Sequence, residues 1–100
     1  MKRSSALKAL ERLEELIGHF GGPYTEDHRE FNALLSSLRS GPLQDSYFRE
    51  KLFDLEQRAN TGFSTRKFAK IAGGVSQVQV WALGSLSTAR SLVEDHWPEA

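Results

Sequence analysis

The chain has 100 residues, which is enough for one hydrophobic core and too few for two independent domains. Its 39% hydrophobic and 26% charged residues are typical of a globular protein, and the absence of cysteine excludes disulfides, a thiolate zinc site and a cysteine nucleophile. Its 13 basic residues balance 13 acidic ones, which excludes a strong non-specific attraction of the whole molecule to nucleic acid or to anionic membranes.

The first twenty residues predict an amphipathic helix over about 4–20. Apolar side chains recur there at steps of four and three residues, which places on one helical face Ala6, Leu10, Leu13, Ile17 and Phe20. The run of Gly21, Gly22 and Pro23 then ends the helix. Because charged residues interrupt every apolar run, we expect neither a signal peptide nor a membrane-spanning segment, and we expect a cytoplasmic protein.

Two further helices are predicted at about 26–39 and 46–60. Thr25 is the expected N-cap of the first, and acidic residues follow it in the first turn, where the helix dipole favours negative charge. Asp45 or Ser46 opens the second, and the sequence "NTG" at 60–62 closes it.

A short helix over about 65–72 is predicted from a hydrophobic staple. Ser64 is the expected N-cap, with Phe63 immediately before it and Phe68 four residues after it. Contact between two such apolar residues fixes the angle at which a chain enters a helix. This spacing therefore predicts a helix boundary at Ser64.

The same staple spacing predicts the start of a final helix over about 77–96. Here Ser76 is the expected N-cap, and Val75 and Val80 occupy the two apolar positions. Gly84 lies inside this helix, so the sequence leaves open whether the helix is continuous through Gly84 or breaks near it. The alternation of apolar residues over 78–82 would also suit a strand, although the rest of the chain offers no convincing partner strand.

Together these elements predict an all-α fold, a compact bundle of four to five short helices in a single domain over 1–100. The helices are expected at about 4–20, 26–39, 46–60, 65–72 and 77–96. Apolar stripes at steps of three and four residues are also predicted for two of the later helices, at 46–60 with Phe48, Leu52, Leu55 and Ala59, and at 77–96 with Val78, Ala82, Leu86, Ala89 and Val93. No internal repeat or low-complexity segment interrupts this pattern.

The chain offers few residues for chemistry. The densest group is "TEDHRE", where acidic residues and a histidine crowd the start of the second helix: Glu26, Asp27, His28 and Glu30. A carboxylate-rich first turn is typical of a solvated helix start, and no two histidines have the i, i+4 spacing that brings two metal ligands to one face. We therefore expect no enzyme, no metal and no cofactor.

The charge distribution singles out the C-terminal part of the chain. Residues 57–93 contain five basic residues and no acidic one. The last helix has apolar residues on several flanks, so it is either central in the bundle or covered by another chain.

The segment over 65–83 resembles a DNA-binding helix-turn-helix motif. The four residues "GGVS" at 73–76 stand between the two predicted helices, as in such motifs. The resemblance implies that Ser76, Gln77 and Gln79 face base edges, because glutamine can pair with adenine through two hydrogen bonds. It also implies phosphate contacts from basic residues of the first helix, namely Arg66, Lys67 and Lys70.

We favour a different function. The sequence predicts a small non-enzymatic helical binding protein, regulatory or inhibitory, that docks on a larger protein or nucleoprotein complex through an acid-free, basic and apolar C-terminal surface. A homodimer through the last helix is compatible with this function, and no membrane partner is expected. The expected partner-binding residues are Arg66, Lys67, Lys70, Trp81, Arg90 and Trp97. A dimeric DNA-binding transcriptional regulator is the second hypothesis.

Overall fold

The computed structural model describes residues 1–22, 25–64 and 74–98, and these residues form four helices and no strand. The helices are α1 (Arg3–Ile17), α2 (Thr25–Arg39), α3 (Ser46–Gly62) and α4 (Gly74–His96). The all-α class is therefore confirmed. The predicted helix at 65–72 lies outside the described residues.

The four helices form an up-down-up-down bundle in which each helix packs on the next and α4 packs on both α3 and α1. At one end, the Gly21 N–H donates to the Gly62 carbonyl at 2.8 Å, which joins the end of α1 to the end of α3. At the other end, the Trp97 indole Nε1–H donates to the Met1 carbonyl at 3.2 Å. These contacts fix successive helices in antiparallel directions.

The apolar stripes predicted for α1, α3 and α4 all point into one core. The residues of those three stripes are buried, and α2 adds Phe31, Leu35 and Leu38. A stripe with apolar residues three and four positions apart covers only one side of a helix. The bundle therefore closes around a single core, as a chain of this length allows.

Helix α1 ends earlier than predicted, at Ile17 and not near Phe20. The Gly18 N–H donates to the carbonyls of both Glu14 and Glu15, a tightened turn that ends the helix. Phe20 lies in the following turn but is still buried, because its ring packs in T-shaped contact with Phe63 at 5.0 Å between centroids. The sequence thus located the core residue correctly and misplaced the helix end.

The cap of α3 is as predicted. The Asp45 carboxylate accepts a hydrogen bond from the Phe48 N–H at 2.9 Å, which satisfies one of the unpaired N–H groups at the start of the helix. Helix α3 extends to Gly62 and so includes the "NTG" sequence that was expected to close it.

Helix α4 begins at Gly74, three residues before the predicted start, so two predictions about Ser76 and its neighbours are wrong. Ser76 is not the N-cap, and Val80 does not pack back on Val75, because its side chain is 62% exposed. Gly74 has a φ of 58°, a left-handed conformation that glycine adopts readily. The earlier start lets Val75 pack against the core and the backbone of Gly21.

Helix α4 is continuous through Gly84, from Gly74 to His96, which answers the question that the sequence left open. Buried residues on both sides of Gly84, among them Ala82 and Leu86, hold the helix against the core. Their packing outweighs the cost of about 1 kcal/mol that glycine imposes inside a helix.

We expect Gly62→Ala to destabilise the protein by about 1–3 kcal/mol, the usual cost of forcing extra volume into a packed core. A Cβ atom at Gly62 would lie 2.4 Å from carbon atoms of the Phe20 ring, so the ring must move. The measurement is urea denaturation followed by circular dichroism at micromolar concentration.

The matched control is Gly84→Ala, which adds the same methyl group where, apart from residues 83–85 and the adjoining backbone of α4, no atom of the described residues lies within 4 Å. We expect this substitution to raise the free energy of unfolding by about 1 kcal/mol. Equal effects of the two alanines would contradict the packing of Phe20 on Gly62.

A second prediction concerns the ion pair that joins α1 to α2. The Arg12 guanidinium donates two hydrogen bonds to the Glu30 carboxylate, at 2.6 and 3.0 Å, and these bonds lower the pKa of the Glu30 carboxyl from its ordinary value. A carboxylate with a lowered pKa stabilises the folded state above its unfolded pKa, and this stabilisation is lost as the pH falls through the folded pKa.

We therefore expect Glu30→Gln to lower the free energy of unfolding at pH 7, and the difference from the native protein to disappear in acid, well below pH 4.5. Denaturant titrations at several pH values measure this. Glu11→Gln, which removes an exposed carboxylate from α1, is the control. A cost of Glu30→Gln that is the same at every pH would contradict the ion pair.

Candidate docking surface

Large apolar side chains remain exposed on the side of α4 that faces away from the core. Val80 is 62% exposed, and Trp81 and Leu83 are each 40% exposed. We use the name outer face of α4 for residues that lie three and four positions apart opposite the buried stripe: Gln77, Val80, Gly84, Ser87 and Ser91. None of these residues is charged, and Trp81 and Leu83 lie on opposite edges of this face.

Trp81 lies on the edge toward α3. The guanidinium carbon of Arg58 is 4.6 Å from the centroid of the Trp81 ring, within the range of a cation–π interaction. Arg58 is half-buried, and Trp81 remains 40% exposed to solvent. An exposed tryptophan beside an arginine is a combination that is enriched among the residues that anchor protein interfaces.

Arg90 lies on the other edge, toward α1. Its guanidinium is 3.9 Å from the Glu14 carboxylate, and both side chains remain partly exposed. A shallow groove between α1 and α4 runs beside it and is lined by Glu14, Leu83, Leu86, Ser87 and Arg90. The two predicted binding residues Trp81 and Arg90 are therefore on opposite flanks of α4, and only a partner that straddles the helix contacts both.

Trp97, also predicted to bind a partner, belongs to the core instead. Only 2% of it is exposed, its indole packs in T-shaped contact with Phe48, and its ring lies against the backbone of Gly41. Its position could have been found in the sequence, because Trp97 stands four residues after the buried Val93 and continues the α4 stripe.

The three residues expected to face DNA bases, Ser76, Gln77 and Gln79, have different surroundings in the structure. Gln79 donates from Nε2 to the Ile17 carbonyl at 3.1 Å and so caps the end of α1. Ser76 is exposed and Gln77 is half-buried, both within the first two turns of α4. The predicted turn at 73–76 is wrong over 74–76, because those residues are helical.

The other basic residues of both hypotheses, Arg66, Lys67 and Lys70, lie outside the described residues. Nothing in the fold tests their contribution, and they stay predictions. The structure adds one basic residue, Arg58, to the candidate docking surface. Its contact with Trp81 could not be predicted from sequence spacing, because it depends on how α3 and α4 pack.

The acidic and histidine residues at the start of α2 take part in separate contacts. Asp27 pairs with His19 at 2.8 Å, and His28 contacts the Asn60 side-chain oxygen at 3.0 Å and stacks on Phe63. Within the described ranges, no group of three or more His, Asp or Glu side chains is arranged to hold a metal ion. These contacts tie α2 to its neighbours.

In the part of the chain that the structure describes, no helix has the length and apolar character needed to cross a bilayer. No known protein family, no curated protein and no solved structure matches this chain. The docking surface is therefore interpreted from its own geometry.

The two tryptophans should be distinguishable by fluorescence, because one is buried and the other is exposed. In Trp81→Phe, we expect the emission of Trp97 to be blue-shifted and resistant to acrylamide quenching. In Trp97→Phe, the emission of Trp81 should be red-shifted and readily quenched. Equal quenching of the two single-tryptophan proteins would contradict both placements.

Proposed function

We propose that this protein is a small non-enzymatic binding protein, regulatory or inhibitory, that docks on a larger protein or nucleoprotein complex with the outer face of α4. The observation that carries the proposal is the exposure of Val80, Trp81 and Leu83 on the helix whose other side closes the core. Scattered single apolar residues are common on protein surfaces, but three within four positions of one helix form a patch.

The charges around this patch support a protein interface. The centre of the outer face is uncharged, and arginines stand on both edges, with Arg58 beside Trp81 and Arg90 beside Glu14. Interfaces commonly have a core depleted of charge and a polar rim, and arginine and tryptophan are enriched among the residues that contribute most to binding. The rim cations would also steer an acidic partner toward the face.

The contacts of the polar residues support a non-enzymatic role. Two ion pairs join neighbouring helices: Arg12 with Glu30 joins α1 to α2, and Arg39 with Glu56 joins α2 to α3. A catalytic site needs a nucleophile, acid or base that is positioned toward a substrate and not engaged in holding the fold. The proposal therefore assigns these polar residues to stability and α4 to function.

DNA binding through 65–83 stays the alternative. The engagement of Gln79 with Ile17 leaves that side chain in a structural contact, so the alternative depends mainly on residues outside the described ranges. The two functions differ in salt dependence, because a DNA-binding protein that contacts phosphates loses affinity steeply as salt rises.

The test is cross-linking in the native host with a photoreactive amino acid at the exposed position 87, in the otherwise native protein and in a Val80→Glu protein. We expect adducts with a larger protein from the first, and Val80→Glu should lower their yield at least about tenfold because it places an unpaired charge in a dry interface.

The matched control is Ser37→Glu, which adds the same charge to an exposed position on α2, away from α4. This variant should give the same adducts as the native protein. The proposal fails if Val80→Glu and Ser37→Glu behave alike, or if the adducts contain only nucleic acid, which would favour the alternative. Adducts between two copies of the chain do not count toward this test.

A further inference from the structure

The side chains on the outer face of α4 differ in size between its two halves. Its N-terminal half carries the large residues, Gln77 and Val80, with Trp81 and Leu83 on its edges. Its C-terminal half carries only the small hydroxyl residues Ser87 and Ser91. Gly84 lies at the boundary and one residue from the middle of Gly74–His96.

An antiparallel pairing of two such faces matches large residues with small ones. If Gly84 of one copy faces Gly84 of the other, Gln77 faces Ser91 and Val80 faces Ser87. A parallel pairing would place Val80 against Val80 and serine against serine, which leaves a void at one end and crowding at the other. Close packing at an interface requires the first arrangement.

The charges fit a second copy better than a strongly acidic partner. Between Gln77 and Ser91 the outer face has no charged residue, so pairing two copies desolvates no charge over this stretch, and the exposed Glu94 and Asp95 lie beyond it at the end of α4. The whole chain has a formal net charge of zero, so two copies do not repel each other at long range. An acidic partner would meet cations only at the edges of the face.

The area is also sufficient. Helix α4 has 23 residues and is therefore about 34 Å long, at a rise of about 1.5 Å per residue. The bundle is 24 Å across in its second dimension. The side that carries α4 thus has about 800 Å² of projected area, so a standard interface, in which each partner contributes about 800 Å², would extend beyond the outer face to the arginines at its edges.

Gly84 itself is consistent with this pairing. Apart from residues 83–85 and the adjoining backbone of α4, no atom of the described residues lies within 4 Å of the position that a Cβ atom would occupy at Gly84, so packing among those residues does not require glycine there. Glycine inside a helix costs about 1 kcal/mol relative to alanine. At the crossing point of two helices, it lets the two backbones approach closely.

We propose that the uncharged outer face of α4 binds a second copy of this chain, in an antiparallel helix pair centred on Gly84. This inference rests on the proposed function, because both use the outer face of α4. The second copy covers Val80 until a partner displaces it. Self-association of the purified protein needs no other molecule, so its failure would leave docking on a partner untouched.

The experiment is sedimentation equilibrium of the purified full chain from about 1 µM to about 500 µM, because dimer formation depends on concentration. We expect a reversible monomer–dimer equilibrium for the native protein. Gly84→Gln should weaken the dimer at least about tenfold, since the side chain holds the helices apart, without loss of helix content. Ser37→Gln, the same side chain on α2, should leave the dimer unchanged.

Orientation is tested by cysteine pairing, for which the chain provides a background free of cysteine. A mixture of Gln77→Cys and Ser91→Cys proteins should form a mixed disulfide under mild oxidation, because a disulfide needs Cα atoms within about 7 Å. A parallel pair would instead link Gln77→Cys to itself. A native protein that stays monomeric over the whole range, a dimer that tolerates Gly84→Gln, or self-linked Gln77→Cys as the main product would each overturn the proposal.

Discussion

The packing of α4 between α1 and α3 is the contact on which the rest of the structure depends. Its buried stripe, from Val78 to Val93, closes the core that the other helices leave open. A helix can bury only one side in a four-helix bundle, so the apolar residues on the other side stay exposed. The constraint that completes the core therefore also creates the surface that we propose as the docking surface. Val80 is exposed because Val78 and Ala82, on the other side of the helix, are buried.

Different contacts hold the helices together at the two ends of the bundle, and both sets of contacts involve residues outside the helices. At one end, Phe20 packs against Gly62 and Phe63, and Gln79 caps α1. At the other, Trp97 contacts the first residue of the chain and the backbone of Gly41. The outer face of α4 lies between these two ends, on the side of the helix that points away from the buried Ala82 and Leu86. Binding at Gly84 would therefore disturb little of the packing within one copy.

The periodicity of the apolar residues predicted the core residues well, whereas the cap and staple patterns predicted the helix boundaries less well. The stripes of α1, α3 and α4 were correct residue by residue, because a repeat of three and four positions is set by helix geometry alone. The staple spacing around Ser76 failed, because packing of Val75 on Gly21 was worth more than a local contact between Val75 and Val80. Part of the candidate site was also predicted: Trp81 is exposed as expected, whereas Trp97 is buried, although its spacing from Val93 already indicated the core.

The sequence by itself determined that the chain is helical, that it has one core and that its C-terminal part lacks acidic residues, because these properties follow from composition and from the period of the apolar residues. Only the tertiary structure decided which flank of α4 each side chain occupies. Arg58 meets Trp81, and Arg90 meets Glu14, through the antiparallel register of helices that are distant in sequence. That register is set by the packing of whole helices at both ends of the bundle, and no local pattern of residues encodes it.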